Sequence, residues 1–151
     1  MNLTVRIDAS LLRYLDPHRR EQVLRSAMTE SMLFLENRVA HGTPVDTVAL
    51  RGSLFHDLRG RWFGGLRGVV ASPLEYAPAV EYGRRPGGRM PPVAAIERWA
   101  QRVIGVRGLG YIIARSIARR GTRGAFMFQT AARDGVRTVE AIFARHIRGS
   151  L

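Results

Sequence analysis

Thr43-Pro44-Val45-Asp46-Thr47-Val48-Ala49-Leu50-Arg51-Gly52-Ser53 is the stretch at which the chain changes character. Before it runs a long helix-like segment, and after it come short, glycine-broken segments that read as strands. Gly42 stands where a helix would stop and Pro44 follows two residues on, the usual order of stop signals. Asp46 or Thr47 can accept bonds from the free N–H groups of a new turn, so Asp46 to Arg51 reads as one short helical turn. Ser53-Leu54-Phe55-His56 then begins an extended run. On local physics this is a helix-to-strand connector, with Thr43, Pro44, Asp46, Thr47, Leu50 and Ser53, together with Glu81, Tyr82 and Gly83 further on, as a structural hinge.

Upstream, Leu3, Val5 and Ile7 alternate with Thr4, Arg6 and Asp8, which predicts a short half-buried strand. Asp8 or Ser10 can cap a turn at Leu11-Leu12. The strongest helix runs from Pro17 to Ala40, with proline in its first turn and Leu24, Met28, Met32, Leu35 and Val39 on one apolar stripe. Downstream, Ser53 to Leu58 and Leu66 to Ala71 are expected to form a hairpin across Arg59 to Gly65, a turn in which Trp62 and Phe63 look exposed. A lone hairpin is marginal in water, so it needs the N-terminal strand, the long helix or a partner chain against it. Leu74 to Tyr82 reads equally well as helix or strand.

A second stretch, Tyr76 to Pro92, reads YAPAVEYGRRPGGRMPP. Glu81, Tyr82 and Gly83 lead into a basic loop carrying Arg84, Arg85 and Arg89. Gly87-Gly88 loosens that loop and Pro91-Pro92 stiffens its exit. Three helices are expected after it. Pro92 to Ile104 puts Val93, Ile96, Ala100 and Ile104 on one face with Trp99 beside it. Leu109 to Arg120 turns Ile112, Ile113, Ser116 and Ile117 inward. Phe126 to Ile147 aligns Phe128, Ala132, Val136, Val139, Phe143 and Ile147. The pattern predicts one α+β domain over residues 1–151, a small antiparallel sheet packed against a long N-terminal helix and two or three C-terminal helices. A chain of this size buries roughly 68–70% of its unfolded surface, enough for a core without staples.

The formal net charge is +12, and every one of the 24 basic side chains is arginine. The complete absence of lysine favours genome base composition as its cause over selection for bidentate contacts. The charge still predicts attraction to DNA or to acidic protein surfaces. There is no cysteine, which excludes disulfides, zinc thiolates and a cysteine nucleophile. No signal peptide is read at the N-terminus, and no window approaches 18 uninterrupted apolar residues, so no membrane partner is expected.

Catalytic constellations are weak. His18, His41, His56 and His146 lack a second histidine at metal-binding spacing. Asp46, His56 and Ser53 can be drawn as a triad, but nothing like a nucleophile elbow surrounds Ser53. Gly108-Leu109-Gly110 is followed by Ile113 where a dinucleotide loop needs glycine, and a phosphate loop is impossible without lysine. Neither an enzyme nor a cofactor is expected. Arg84, Arg85 and Arg89 in the basic loop, with Arg115, Arg119, Arg120 and Arg123 after it, can contact phosphates, partner carboxylates or solvent.

The order T-P-V-D-T-x-A-L-R-x-S, then Y-A-x-x-V-E-Y-G, then an Arg/Pro/Gly loop ending in M-P-P, then Ile-x-x-Trp-Ala, resembles the tail-component or tail-completion (neck) proteins of long-tailed double-stranded DNA bacteriophages and related prophages. Ile113 to Thr122, followed by Phe126 and Phe128, is similar as well, so the resemblance covers about Asn37 to Ala132. Val48 stands where the family usually has glycine. The resemblance implies a structural virion protein made in the host cytoplasm and acting at the neck or tail end. Its implied partners are tail terminator and head-closure or adaptor proteins, copies of itself in a ring matching six-fold tail symmetry, and phage DNA by non-specific contact. The candidate contact residues are then the basic loop, Trp62, Phe63 and the arginines of the following helix. The alternative is a free-standing, basic, non-specific nucleic-acid-binding protein.

Overall fold

The computed structural model describes residues 10–44 and 48–151, the side chains of Leu11 and Val48 excepted. The strand expected over Leu3 to Ile7 and the hinge residues Asp46 and Thr47 lie outside the described residues. After a short 3-10 turn, Ser10–Tyr14, the first helix, α1, spans Pro17–Gly42. Asp16 caps it, accepting from the backbone N–H groups of His18 and Arg19 at 3.0 Å each, and Pro17 opens its first turn, where a missing N–H costs nothing. The helix buries Val23, Ala27, Ser31, Met32, Leu35 and Val39. Leu24 and Met28 of the expected stripe are only half buried. The buried face is rotated because α1 is covered on two sides, by the last helix and by a β-hairpin.

The short helix α2 (Val48–Gly52) leads into β1 (Phe55–Arg59), which pairs antiparallel with β2 (Arg67–Ala71). His56 stands opposite Val70 and Leu58 opposite Gly68. The period of two places these four on the side facing α1. Leu58 and Val70 join its core, and His56 Nδ1 lies 2.6 Å from Glu36 Oε2. Gly68 leaves room for the methionines of α1, since a Cβ there would press on Met32 and stand 3.0 Å from Met28 Sδ.

The ambiguous segment resolves as a helix, α3 (Ala77–Tyr82). Then follow β3 (Gly83–Arg84), α4 (Val93–Val103), α5 (Gly110–Arg120), β4 (Thr122–Arg123) and α6 (Met127–Arg148). β3 and β4 form a second, two-residue antiparallel ladder where only loops are expected from sequence. The fold is α+β, as the pattern predicts.

Helix α6 lies along α1 and enters all three core clusters. Val139, Ile142 and Phe143 meet Ala27, Met32 and Leu35; Met127 and Ala131 meet Val39, Leu50 and Ala77; Ile147 meets Leu12, Leu15 and Val23. Its buried face runs through Met127, Ala131, Gly135 and Val139, so Phe128, Ala132 and Val136 sit one step off it, half buried. The reason is steric. A Cβ on Gly135 would stand 2.7 Å from Leu35 Cδ2 and 3.3 Å from Phe34 Cε1, so α1 side chains fill the space that a side chain at this position would need.

Candidate docking surface

The two quoted stretches meet at the start of α6. Phe126 precedes that helix in a left-handed conformation, φ 50°, and offers no capping side chain. Glu81 supplies the cap from elsewhere. Its Oε2 accepts from the Phe128 N–H at 3.0 Å and its Oε1 from the Gln129 N–H at 2.9 Å. Glu81 is only 4% exposed, so a buried carboxylate meets the orphan donors and positive end of a helix. Thr43, 1% exposed, donates from Oγ1 to the Val39 carbonyl at 2.7 Å and lies 3.2 Å from Met127 Sδ. Arg51 Nη2 donates to the Thr43 carbonyl at 3.0 Å. Leu50 is fully buried, and Ser53 Oγ bonds the Leu50 carbonyl and Ser72 Oγ, both at 2.8 Å. The hinge is therefore an anchor that holds α1, α2 and α3 to the first turn of α6.

The basic loop grows from this anchor. Gly83 and Gly121 have φ of 76° and 72°. A Cβ on Gly83 would strike the Thr122 carbonyl, and one on Gly121 the Arg84 carbonyl. The Arg84 N–H donates to Thr122 Oγ1 at 3.1 Å, and the Ala125 and Phe126 N–H groups donate to the Val80 and Glu81 carbonyls at 2.8 and 3.0 Å. Despite its two glycines the loop is tied down: the Gly87 N–H donates to the Ala118 carbonyl at 2.7 Å. Arg84, Arg85, Gly88 and Arg89 rim a shallow cleft of about 210 Å³, with Ile117 and Ala118 of α5 on its wall.

Beyond the loop, α4 and α5 pack on each other as a helical hairpin. Like α6, α5 begins without a capping side chain of its own. Glu97 of α4 serves it, accepting from the Gly108 and Gly110 N–H groups at 2.6 Å each. Those bonds, with a third from Gln101, hold the Glu97 carboxyl below the usual range. A depressed carboxyl stabilises the fold above its unfolded value and loses that contribution as pH falls through the folded one. Backbone protection of the first turn of α5, normalised for intrinsic exchange, is accordingly expected to drop as pH falls below about 4.3. Glu97→Gln should loosen the same amides at neutral pH, read by hydrogen exchange.

One face of this hairpin is exposed. Ile112, expected inward, is 63% exposed, and Ile104 is 47% exposed; Val103, Val106 and Tyr111 are exposed beside them. Periodicity predicts a stripe but not whether the same chain covers it. Ten arginines lie from Arg84 to Arg123, against one carboxylate, Glu97, which is engaged by the backbone. Of the ten, Arg84 alone has a side-chain hydrogen bond among the described residues, to the Arg89 carbonyl at 3.2 Å. The arginines elsewhere are better matched: Arg25 pairs with Glu21, Arg38 and Arg133 with Asp134, Arg59 with Asp57 and Arg145 with Glu30. Arg115, Arg119, Arg120 and Arg123 are all exposed on or just after α5, in line with their sequence assignment.

Trp62 and Phe63 part company. Trp62 is half buried, with the Arg20 guanidinium 5.0 Å over its ring and its N–H donating to Glu21 Oε2 at 3.0 Å. Phe63 stands edge-on to it at 6.3 Å and is 70% exposed. His56 and Ser53 have separate partners, Glu36 and Ser72, and Asp46 lies outside the described residues. Among the described residues no three His, Asp or Glu side chains group as a metal site, and no helix is long and apolar enough to cross a membrane. Comparison of the chain with known protein families, curated proteins and solved structures finds no match.

Proposed function

We propose that this chain is a structural protein of a tailed phage or prophage-derived particle, acting at the neck or tail end in head–tail joining. The observation that carries the reading is the α4–α5 hairpin with its basic loop. It combines exposed Tyr111, Ile112, Val103 and Ile104 with an excess of unmatched arginine, the composition of a protein interface rather than of a solvated face. The motif order from Thr43 to Trp99 supports the same reading by resemblance. Copies of the chain assemble into a ring, with six-fold symmetry expected from the tail. The β1–β2 hairpin is suited to copy-to-copy contact, because among the described residues each strand has one ladder partner and an unpaired outer edge.

The test is sedimentation of the purified protein with purified tails and with DNA-filled heads at moderate salt. Co-sedimentation with either particle, and little affinity for free DNA, is the expected result. Strong binding to naked DNA with none to either particle would move the chain to the second reading, a non-specific nucleic-acid binder, which the arginine excess of residues 84–123 favours. Replacing Arg84, Arg85 and Arg89 together with serine is expected to reduce tail joining without unfolding the domain. Unchanged joining and oligomer size would remove the loop from the mechanism.

A further inference from the structure

The connection between α4 and α5 gathers five exposed apolar side chains, Val103, Ile104, Val106, Tyr111 and Ile112, within ten residues of chain. Exposed arginines stand among and around them: Arg102 and Arg107 at the turn, Arg98 one helical turn before it and Arg115 one turn after. The turn is built rather than loose. Glu97 gathers the Gly108 and Gly110 N–H groups, and the Gly105 N–H returns to the Ala100 carbonyl at 3.1 Å. A Cβ on Gly110 would stand 2.7 Å from Glu97 Cβ, so the two helices are drawn together at this end.

Four surfaces can meet an apolar tip ringed by arginine, and charge separates them. Duplex DNA rewards the arginines but gains nothing from five apolar side chains. An anionic bilayer rewards both, yet insertion would carry the Glu97 carboxylate toward hydrocarbon, which is costly. A second copy of this chain would have to present free carboxylates. Among the described residues Asp16, Glu21, Glu30, Glu36, Asp57, Glu81, Glu97 and Asp134 are all engaged internally, which leaves Glu75 and Glu140 on separate elements. Self-docking through the tip would set arginine against arginine. An apolar surface rimmed by carboxylates on a different protein satisfies both features at once.

We infer that the α4–α5 tip docks into an acid-rimmed apolar surface, of the kind an acidic amphipathic helix presents, on a partner protein other than itself. Tyr111 and Ile112 are the anchors, since large side chains at the centre of a patch carry most binding energy. Arg102, Arg107 and Arg115 pair with the rim and accelerate the encounter. The inference deepens the assembly reading by naming the partner's chemistry at the same surface.

The test uses the full-length chain and three probes, titrated by fluorescence anisotropy at low and moderate salt. They are a Glu-rich amphipathic helical peptide with one leucine face, a scrambled peptide of identical composition, and a duplex DNA. Binding of the amphipathic peptide in the micromolar range, at least about tenfold tighter than the scrambled one and weakened by salt, is expected. Ile112→Ser and Arg115→Ser, both at exposed positions, should each weaken it, while Arg137→Ser on α6 should not. Equal affinity for the scrambled peptide would reduce the tip to a mere charge effect, and tighter binding to DNA would hand the surface to nucleic acid; either overturns the inference. Arg102→Glu with Arg107→Glu should lose the acidic peptide and gain a Lys-rich one of the same pattern, which a misfolded tip would not do. Failure of the peptide with retained sedimentation on tails or heads would sink the acidic-partner idea and leave the joining function standing.

Discussion

Glu81→Ala is expected to destabilise the protein by about 3 kcal/mol, because two part-buried N–H groups at the head of α6 lose the one acceptor side chain they have among the described residues. An ordinary exposed N-cap costs about 1 kcal/mol when removed. Here the carboxylate is 4% exposed and water cannot easily replace it. The cap also holds Met127 in place, and Met127 is 1% exposed between Val39, Leu50 and Ala77. In thermal unfolding followed by circular dichroism the loss corresponds to a midpoint lower by roughly 6–12 °C for a chain of this length. Glu81→Gln keeps one carbonyl oxygen and is expected to lose about half as much, since one N–H remains served. A Glu81→Ala protein as stable as the parent would mean that the head of α6 is capped by something else.

Gly121→Ala is the second large effect, also about 3 kcal/mol, and it arises from backbone rather than side-chain contact. At φ 72° any L side chain is strained, which alone costs of order 1–3 kcal/mol. The new Cβ would also collide with the Arg84 carbonyl and stand 3.0 Å from the Pro86 nitrogen, neither of which can swing aside like a flexible side chain. The ladder β3–β4 must then open, taking with it the basic loop that the Gly87 N–H fastens to Ala118. Gly83→Ala attacks the same ladder from the other strand, at φ 76° and against the Thr122 carbonyl. The two substitutions are therefore expected to be non-additive, the double variant costing less than their sum, because the second acts on a ladder already broken. Full additivity by urea titration would show two independent clashes instead of one shared structure.

Helix α1 was legible because apolar residues recur every three or four positions over many turns, and the β-hairpin because apolar alternation flanks a glycine-rich turn. Three features were not. The phase of α6 is set by Ala131 and Gly135, whose weak apolar signal hides that they lie on its buried face, with Leu35 and Phe34 of α1 against Gly135. Ile112 belongs to a proper helical stripe, but periodicity alone does not reveal that it stays 63% exposed. Glu81 stood out within the motif that carries the resemblance, yet its task was invisible because its bonds reach 47 residues along the chain. A signal existed: Phe126 and Met127 begin a helix with no Ser, Thr, Asp or Asn to cap it, which calls for an acceptor oxygen from a distant element. Leu109 before α5 makes the same demand, and Glu97 meets it. The basic loop was read correctly as exposed, but not as fastened.

Helix α6 has a consequence for the order of events in the cell. Each of the three core clusters contains residues of this helix, the last 22-residue element of the chain. While the ribosome is still adding those residues, α1 has the β-hairpin against one side, but the face that Val139, Ile142 and Phe143 cover stays open. Synthesis runs at about 5–20 residues per second, so the nascent chain spends seconds with its apolar faces open. The arginine-rich hairpin is made before the helix that closes the core, and Glu81 and Thr43 wait for a first turn synthesised 47 and 84 residues after them. A chain that stopped before α6 would carry the arginine-rich hairpin without the helix that enters all three core clusters.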